Sequence, residues 1–148
     1  MSNRPLLNTA LPEAYKSVLA LNDQCEKAAA DAGISPLATE LVRIRASQIN
    51  GCAFCLRMHV RDALAKGETT DRIAVIPAWR ETTYFTDEEC AALAIAEEIT
   101  NISDTAARPE PERLSALTAQ QAAVLRWLAI VINAFNRIAI SSHYKVAP

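Results

Sequence analysis

Glycine, phenylalanine and uninterrupted apolar runs are scarce in this 148-residue sequence. Only three residues of each type are present, and aromatic or β-branched residues rarely alternate with polar ones over the length of a strand. That argues against a sheet as the main architecture. No basic stripe appears and the formal net charge is −2, so nothing electrostatic recruits nucleic acid or an anionic membrane surface. The opening segment Met1–Asn8 lacks the apolar core of a secretion signal. The most apolar stretch, Ala122 to Ile140, is interrupted by Arg126, Asn133, Asn136 and Arg137. Those groups are costly in hydrocarbon, so the stretch reads as a buried helix and not a membrane span. The expected compartment is the cytoplasm, where a close cysteine pair is catalytic or metal-binding more often than it is a structural staple.

What is abundant is Ala, Leu, Ile and Glu, which favour helices. The expected fold is all-α, a single domain over residues 1–148 with about six helices and no repeat or linker. The first helix runs from about Pro12 to Ala32, with Gly33 just beyond its end. Ser35-Pro36 opens a second, through Ile49, in which Leu37, Leu41, Ile44 and Gln48 share a stripe widened by Val42 and Ile49. Asn50-Gly51 breaks the pattern. A third helix runs from about Cys52 to Lys66-Gly67, and Thr69-Thr70-Asp71 caps a short fourth that Pro77 ends or bends. Thr86-x-x-Glu89 and Thr118-x-x-Gln121 are capping boxes opening helices to about Thr100 and Ser141, separated by a loop with Pro109 and Pro111.

The chemistry begins at the break. Cys52 and Cys55 stand three apart at a helix start, on adjacent positions of one face, where a disulfide closes with little rearrangement. Unpaired N–H groups and the positive end of the helix dipole there favour thiolate over thiol. His59, four residues after Cys55 and seven after Cys52, lies on the same face and can take a thiol proton. Zinc is a competing use of Cys52, Cys55 and His59, although no spacing marks Cys25, Cys90 or His143 as a fourth ligand. A purely structural use, two buried thiols and a core histidine, competes as well. Cys25 and Cys90 sit in Ala-rich helical patterns and read as small buried hydrophobes. Taken alone, Glu40 reads as solvated helix surface, as do Arg43, Arg57 and Arg61. Trp79 and Trp127 read as core or interface anchors, and Asn133, Asn136 and Arg137 as polar groups that need partners near the site or at a subunit interface.

Glu40, twelve residues before Cys52, followed by Asn50-Gly51-Cys52-x-x-Cys55-x-x-x-His59, resembles the core motif of the AhpD-like alkylhydroperoxidases of the carboxymuconolactone decarboxylase superfamily. The likeness continues through Ala78-Trp79-Arg80-Glu81, Phe85-Thr86, Ala91 to Glu98 and Asn136-Arg137-Ile138-Ala139. It implies a helical fold that assembles into trimers or hexamers. It also implies a thiol-dependent peroxidase in which Cys55 attacks a hydroperoxide and becomes the sulfenic acid. Cys52 then resolves it as a disulfide, while His59 and Glu40 relay the proton. The implied electron donor is a dithiol such as a lipoyl protein; no cofactor and no metal are implied. One position departs from the pattern: where active relatives carry a histidine directly before the second cysteine, this chain has Phe54.

Two other functions stay in view. Lactone decarboxylation, the chemistry of the superfamily's namesake, does not use a cysteine pair. An oligomeric scaffold or redox sensor would use the disulfide as a switch, with little turnover.

Overall fold

The computed structural model describes residues 4–148. Residues 1–3, the start of the segment read above for a secretion signal, lie outside the described residues. The all-α expectation holds: seven α-helices follow one another, α1 (Leu7–Ala10), α2 (Pro12–Asp31), α3 (Pro36–Asn50), α4 (Ala53–Ala65), α5 (Thr70–Val75), α6 (Asp87–Thr100) and α7 (Ala119–Ser141), with no strand among the described residues. Two details were not foreseen. A four-residue helix, α1, precedes Pro12, and three 3₁₀ segments, Ile76–Glu81, Thr105–Ala107 and Pro111–Leu114, carry the proline-containing connections. Pro77 falls in the first of these, where α5 gives way to the tighter turn.

The starts of the long helices follow local chemistry. Ser35 Oγ accepts from Leu37 N–H ahead of Pro36, and the Thr86/Glu89 and Thr118/Gln121 capping boxes are both closed. Five helices form the core, with α3 packed on α4, α6 and α7, and α2 on α7. The run Ala91–Ala96 of α6 is buried throughout, its alanines permitting close approach to Ala38, Val42 and Leu41 of α3. Each buried Leu or Ile in this interface, such as Leu41, Ile44, Leu93 or Ile95, contributes about 2 kcal/mol of burial energy.

The stripe expected on α3 underestimates that helix. Besides Leu41, Val42 and Ile44, it buries Thr39, Glu40, Arg43 and Ser47, so nearly its whole circumference is interior. Glu40 and Arg43, read alone as solvated surface, are 1% and 5% exposed, because α3 is the central helix and not a peripheral one. Arg61 is exposed and Arg57 half-buried, its guanidinium donating to the Ala147 carbonyl at 2.7 Å.

Trp79 is a core residue whose Nε1 donates to Glu97 Oε1 at 3.0 Å, whereas Trp127 is half exposed. Cys25 is buried as expected; Cys90 is only half-buried at the edge of the second core cluster. Among the described residues α7 is the one helix long and apolar enough to cross a membrane. Its Val124, Leu125, Leu128, Val131 and Ile132 are spent inside the protein core.

Candidate active site

The site is assembled where α3 hands over to α4. Gly51 adopts a left-handed φ of 69°, and its N–H and that of Cys52 return to the carbonyls of Gln48 and Ser47 at 3.3 and 3.0 Å. This is a Schellman closure, which an L side chain at Gly51 would strain. It leaves Cys52 extended as the N-cap of α4, its sulfur accepting from the Cys55 N–H at 3.4 Å. The dithiol therefore starts α4 one residue later than expected, with Cys52 as cap and Cys55 in the first turn.

The two sulfurs are 2.7 Å apart and share one hydrogen bond. Both cysteines are 2% exposed. They differ in acidity. The hydrogen bond from the Cys55 thiol holds Cys52 well below the ordinary thiol range, against the opposing effect of burial. The same bond, together with burial, pushes Cys55 far above it. The Asn136 amide favours the charged form of either thiol. The stabilisation expected at the helix start thus falls on Cys52.

His59 is buried on α4 and its Nδ1 lies 3.0 Å from Glu40 Oε2. Glu40 Oε1 accepts from Lys66 Nζ at 2.7 Å and from Arg43 at 3.0 Å. Arg43 reaches on to Glu26 at 2.7 Å and Asn22 at 3.1 Å on α2. Burial raises the Glu40 pKa, but hydrogen bonds from His59 and Lys66 and the Arg43 charge outweigh it and bring it down to about 2. An ionised carboxylate only accepts, so Nδ1 carries the His59 proton and Nε2 is the basic nitrogen. No hydrogen bond joins His59 to either sulfur, so the direct Cys–His pair drawn from helix spacing is not formed in this state. Glu40, His59 and Asp62 bring ligand atoms within 4.8 Å of one another, but Arg43 and Lys66 already neutralise Glu40, a poor setting for a cation.

Beneath the dithiol a second polar network ties α3 to α7. Asn136 donates to Ser47 Oγ at 3.0 Å and accepts from Asn50 at 3.0 Å, while Asn50 also donates to Asn133 at 2.9 Å. Asn133 donates to Thr100 Oγ1 at 3.0 Å and accepts from Arg137 at 2.9 Å. The polar groups of α7 thus find partners near the site, one of the two places expected for them. Lys66 was missed, although it lies seven residues after His59 and so on the same face of α4.

Cys55 and His59 line a cavity of about 360 Å³ whose walls include Phe54, Met58, Phe135 and Tyr144. Cys52 opens instead onto a shallower depression of about 260 Å³ with Gly51, His143 and Tyr144. Phe54 and Tyr144 line both, packed edge to face with ring centroids 5.0 Å apart. A larger concavity, about 570 Å³, lies elsewhere, between Arg80, Arg108 and Arg113 and the carboxylates Asp87, Glu110 and Glu112. It holds charges of both signs and no thiol, so the smaller cavity is the candidate site.

Comparison with known proteins gives the family. The model of the carboxymuconolactone decarboxylase family matches residues 12–98, a span that contains Glu40, Cys52, Cys55 and His59 but not Asn136 or Tyr144. The uncharacterized protein YdfG of Bacillus subtilis (strain 168) is 34% identical over 99% of both chains. A crystal structure from Agrobacterium tumefaciens superposes with a TM-score of 0.86 at 31% identity, over 99% of both chains. That protein is of unknown function and has been suggested to be the antioxidant defence protein AhpD.

Proposed function

The chain belongs to the carboxymuconolactone decarboxylase family, and from that premise we propose that it is an AhpD-like thiol peroxidase acting on organic hydroperoxides. The observation that carries this reading is the pair of sulfurs 2.7 Å apart, one of which faces a largely apolar cavity beside a carboxylate-braced histidine. In this reading the Cys55 sulfur attacks the distal oxygen of the hydroperoxide as the shared proton passes to Cys52. The O–O bond breaks, the alkoxide takes a proton from solvent and leaves as the alcohol, and Cys55 carries the oxygen as sulfenic acid. Cys52, deprotonated with His59 as base, then attacks the Cys55 sulfur, and the oxygen departs as water. Glu40 keeps His59 in the tautomer with a free Nε2.

A dithiol borne by a lipoyl protein, in the manner of the family, would return the disulfide to the thiol state. Assembly into trimers or hexamers belongs to the same proposal. Mixing reduced protein with cumene hydroperoxide tests the core of it. Loss of the Cys52 and Cys55 thiols together, with Cys25 and Cys90 unchanged, supports the reading; retention of both refutes it.

A second reading, a redox switch with little turnover, is favoured by one feature. Phe54 occupies the place of the second histidine of active relatives and cannot move a proton. Stoichiometric oxidation without catalytic cycles, in the presence of dihydrolipoamide, would select it.

A further inference from the structure

Tyr144 lies outside the segment shared with the family model, in the tail that follows α7. Its placement takes a particular backbone. His143 adopts a left-handed φ of 53°, unusual for a residue with a side chain, and the Tyr144 N–H returns to the Ala139 carbonyl at 3.0 Å. Ser142, just before, is buried and accepts from the Leu7 N–H at 3.0 Å. The tail is thereby turned back so that the Tyr144 ring packs with Cys52, Cys55 and Phe54.

The ring is accounted for by this packing; the hydroxyl is not. It is sealed from solvent and has no hydrogen-bond partner, a condition shared by one other buried side-chain atom among the described residues, Asn8 Oδ1. Buried hydroxyls are rarely left unpaired, because the lost hydrogen bond to water is not replaced. Burial first, then the neighbouring Tyr15 and Cys55 charges, raise its pKa, so the group stays protonated and available as a donor. What is missing is an acceptor. In the dithiol state none reaches it, and the Cys55 sulfur is engaged with Cys52 at 2.7 Å.

We propose that the Tyr144 hydroxyl donates a hydrogen bond to the oxygen that Cys55 carries after oxidation to the sulfenic acid, and that this bond speeds closure of the Cys52–Cys55 disulfide. The proposal rests on the reading of Cys55 as the attacking sulfur. In the closing step the Cys52 thiolate attacks the Cys55 sulfur, an S–S bond forms and the S–O bond breaks. The two electrons of the S–O bond leave with the oxygen, which departs as water after taking a proton from the protonated His59. Negative charge builds on that oxygen as the bond breaks, and a fixed donor stabilises it most at that moment. Tyr144 itself remains protonated throughout. With Phe54 in place of a polar residue, this hydroxyl supplies a donor from the tail.

The test is Tyr144→Phe, which keeps the ring against Phe54. Reduced protein is mixed with one equivalent of cumene hydroperoxide, quenched at intervals with dimedone, and the adducts are located by mass spectrometry. Wild type passes to the disulfide with little adduct; Y144F should accumulate adduct at Cys55 and close about tenfold more slowly. In a Cys52→Ser background, where the sulfenic acid persists, Y144F should also raise the pH at which that acid ionises. Closure at the wild-type rate with adduct at Cys55 overturns the role of Tyr144 alone. Adduct at Cys52, or at neither cysteine, overturns it together with the assignment of Cys55. An unchanged thermal midpoint for Y144F excludes a folding defect as the cause of slower closure.

Discussion

Glu40 on α3 and His59 on α4 meet at 3.0 Å inside the protein, joining the helix before the Gly51 turn to the one that carries the dithiol. A glutamine at position 40 can present an amide N–H to Nδ1 and reverse the tautomer, placing the proton on Nε2. Glu40→Gln should therefore slow peroxide-driven loss of the Cys52 and Cys55 thiols by about 100-fold, the usual scale for losing a positioned base. Stopped-flow thiol counting checks this, and a rate within threefold of wild type would remove His59 from the mechanism.

The same carboxylate makes stability depend on acid. Its pKa is about 2 in the folded protein against an ordinary 4.5. A depressed pKa contributes stability that is complete above the unfolded value and is lost as pH falls through the folded one. The difference corresponds to about 3 kcal/mol, lost between roughly pH 4.5 and 2. Urea unfolding at stepped pH should show this slope in wild type and a shallower one in E40Q, which is less stable at neutral pH because Arg43 and Lys66 lose their counter-charge.

The acidity of Cys52 depends on its partner. Removing the donor with Cys55→Ala should move the Cys52 titration back up toward the ordinary thiol range, read by ultraviolet thiolate absorbance. Alkylation of Cys52 by iodoacetamide at neutral pH should then fall several-fold, because thiolate is the reacting form.

Phe54 separates the cavity of Cys55 from the depression of Cys52. Phe54→His introduces a titratable group at that partition and gives up the edge-to-face pair with Tyr144. We expect a gain in hydroperoxide turnover of about tenfold or more, with a loss of about 1 kcal/mol in stability. Steady-state assays with dihydrolipoamide and a denaturant titration measure the two separately.

Along the outer side of α7, Ala123, Trp127, Ile130 and Ala134 follow one another at helical spacing, with Trp127 51% and Ile130 43% exposed. This is the face on which the proposed assembly would be held. Trp127→Asp should convert the oligomer to monomer in light scattering while leaving helical content unchanged. An unaltered mass would move the interface elsewhere.

The features legible in the sequence are those that depend on neighbours along the chain. The Ser35 cap, the two capping boxes, the bend at Pro77 and the handover at Gly51 are settled within a few residues by backbone hydrogen bonding, and each appears where local chemistry asks for it. The closeness of Cys52 and Cys55 belongs to the same class. Glu40 belongs to another. Its carboxylate, read from α3 alone, points to solvent; it is interior because α4 packs on α3 and delivers His59 and, at its C-cap, Lys66 to it, with Arg43 from its own helix.

Tertiary structure also set the acidity of the dithiol, by burying both sulfurs and bringing the Asn136 amide of α7 to them. Tyr144 carries no local signal at all, since its meeting with Cys55 is made by the return of the tail across α7. The sequence by itself thus determined the helices, their ends and a dithiol with a histidine two turns on. The packing of those helices decided which charges are buried and what faces the cavity, because burial and electrostatic coupling act through space between segments far apart in the chain.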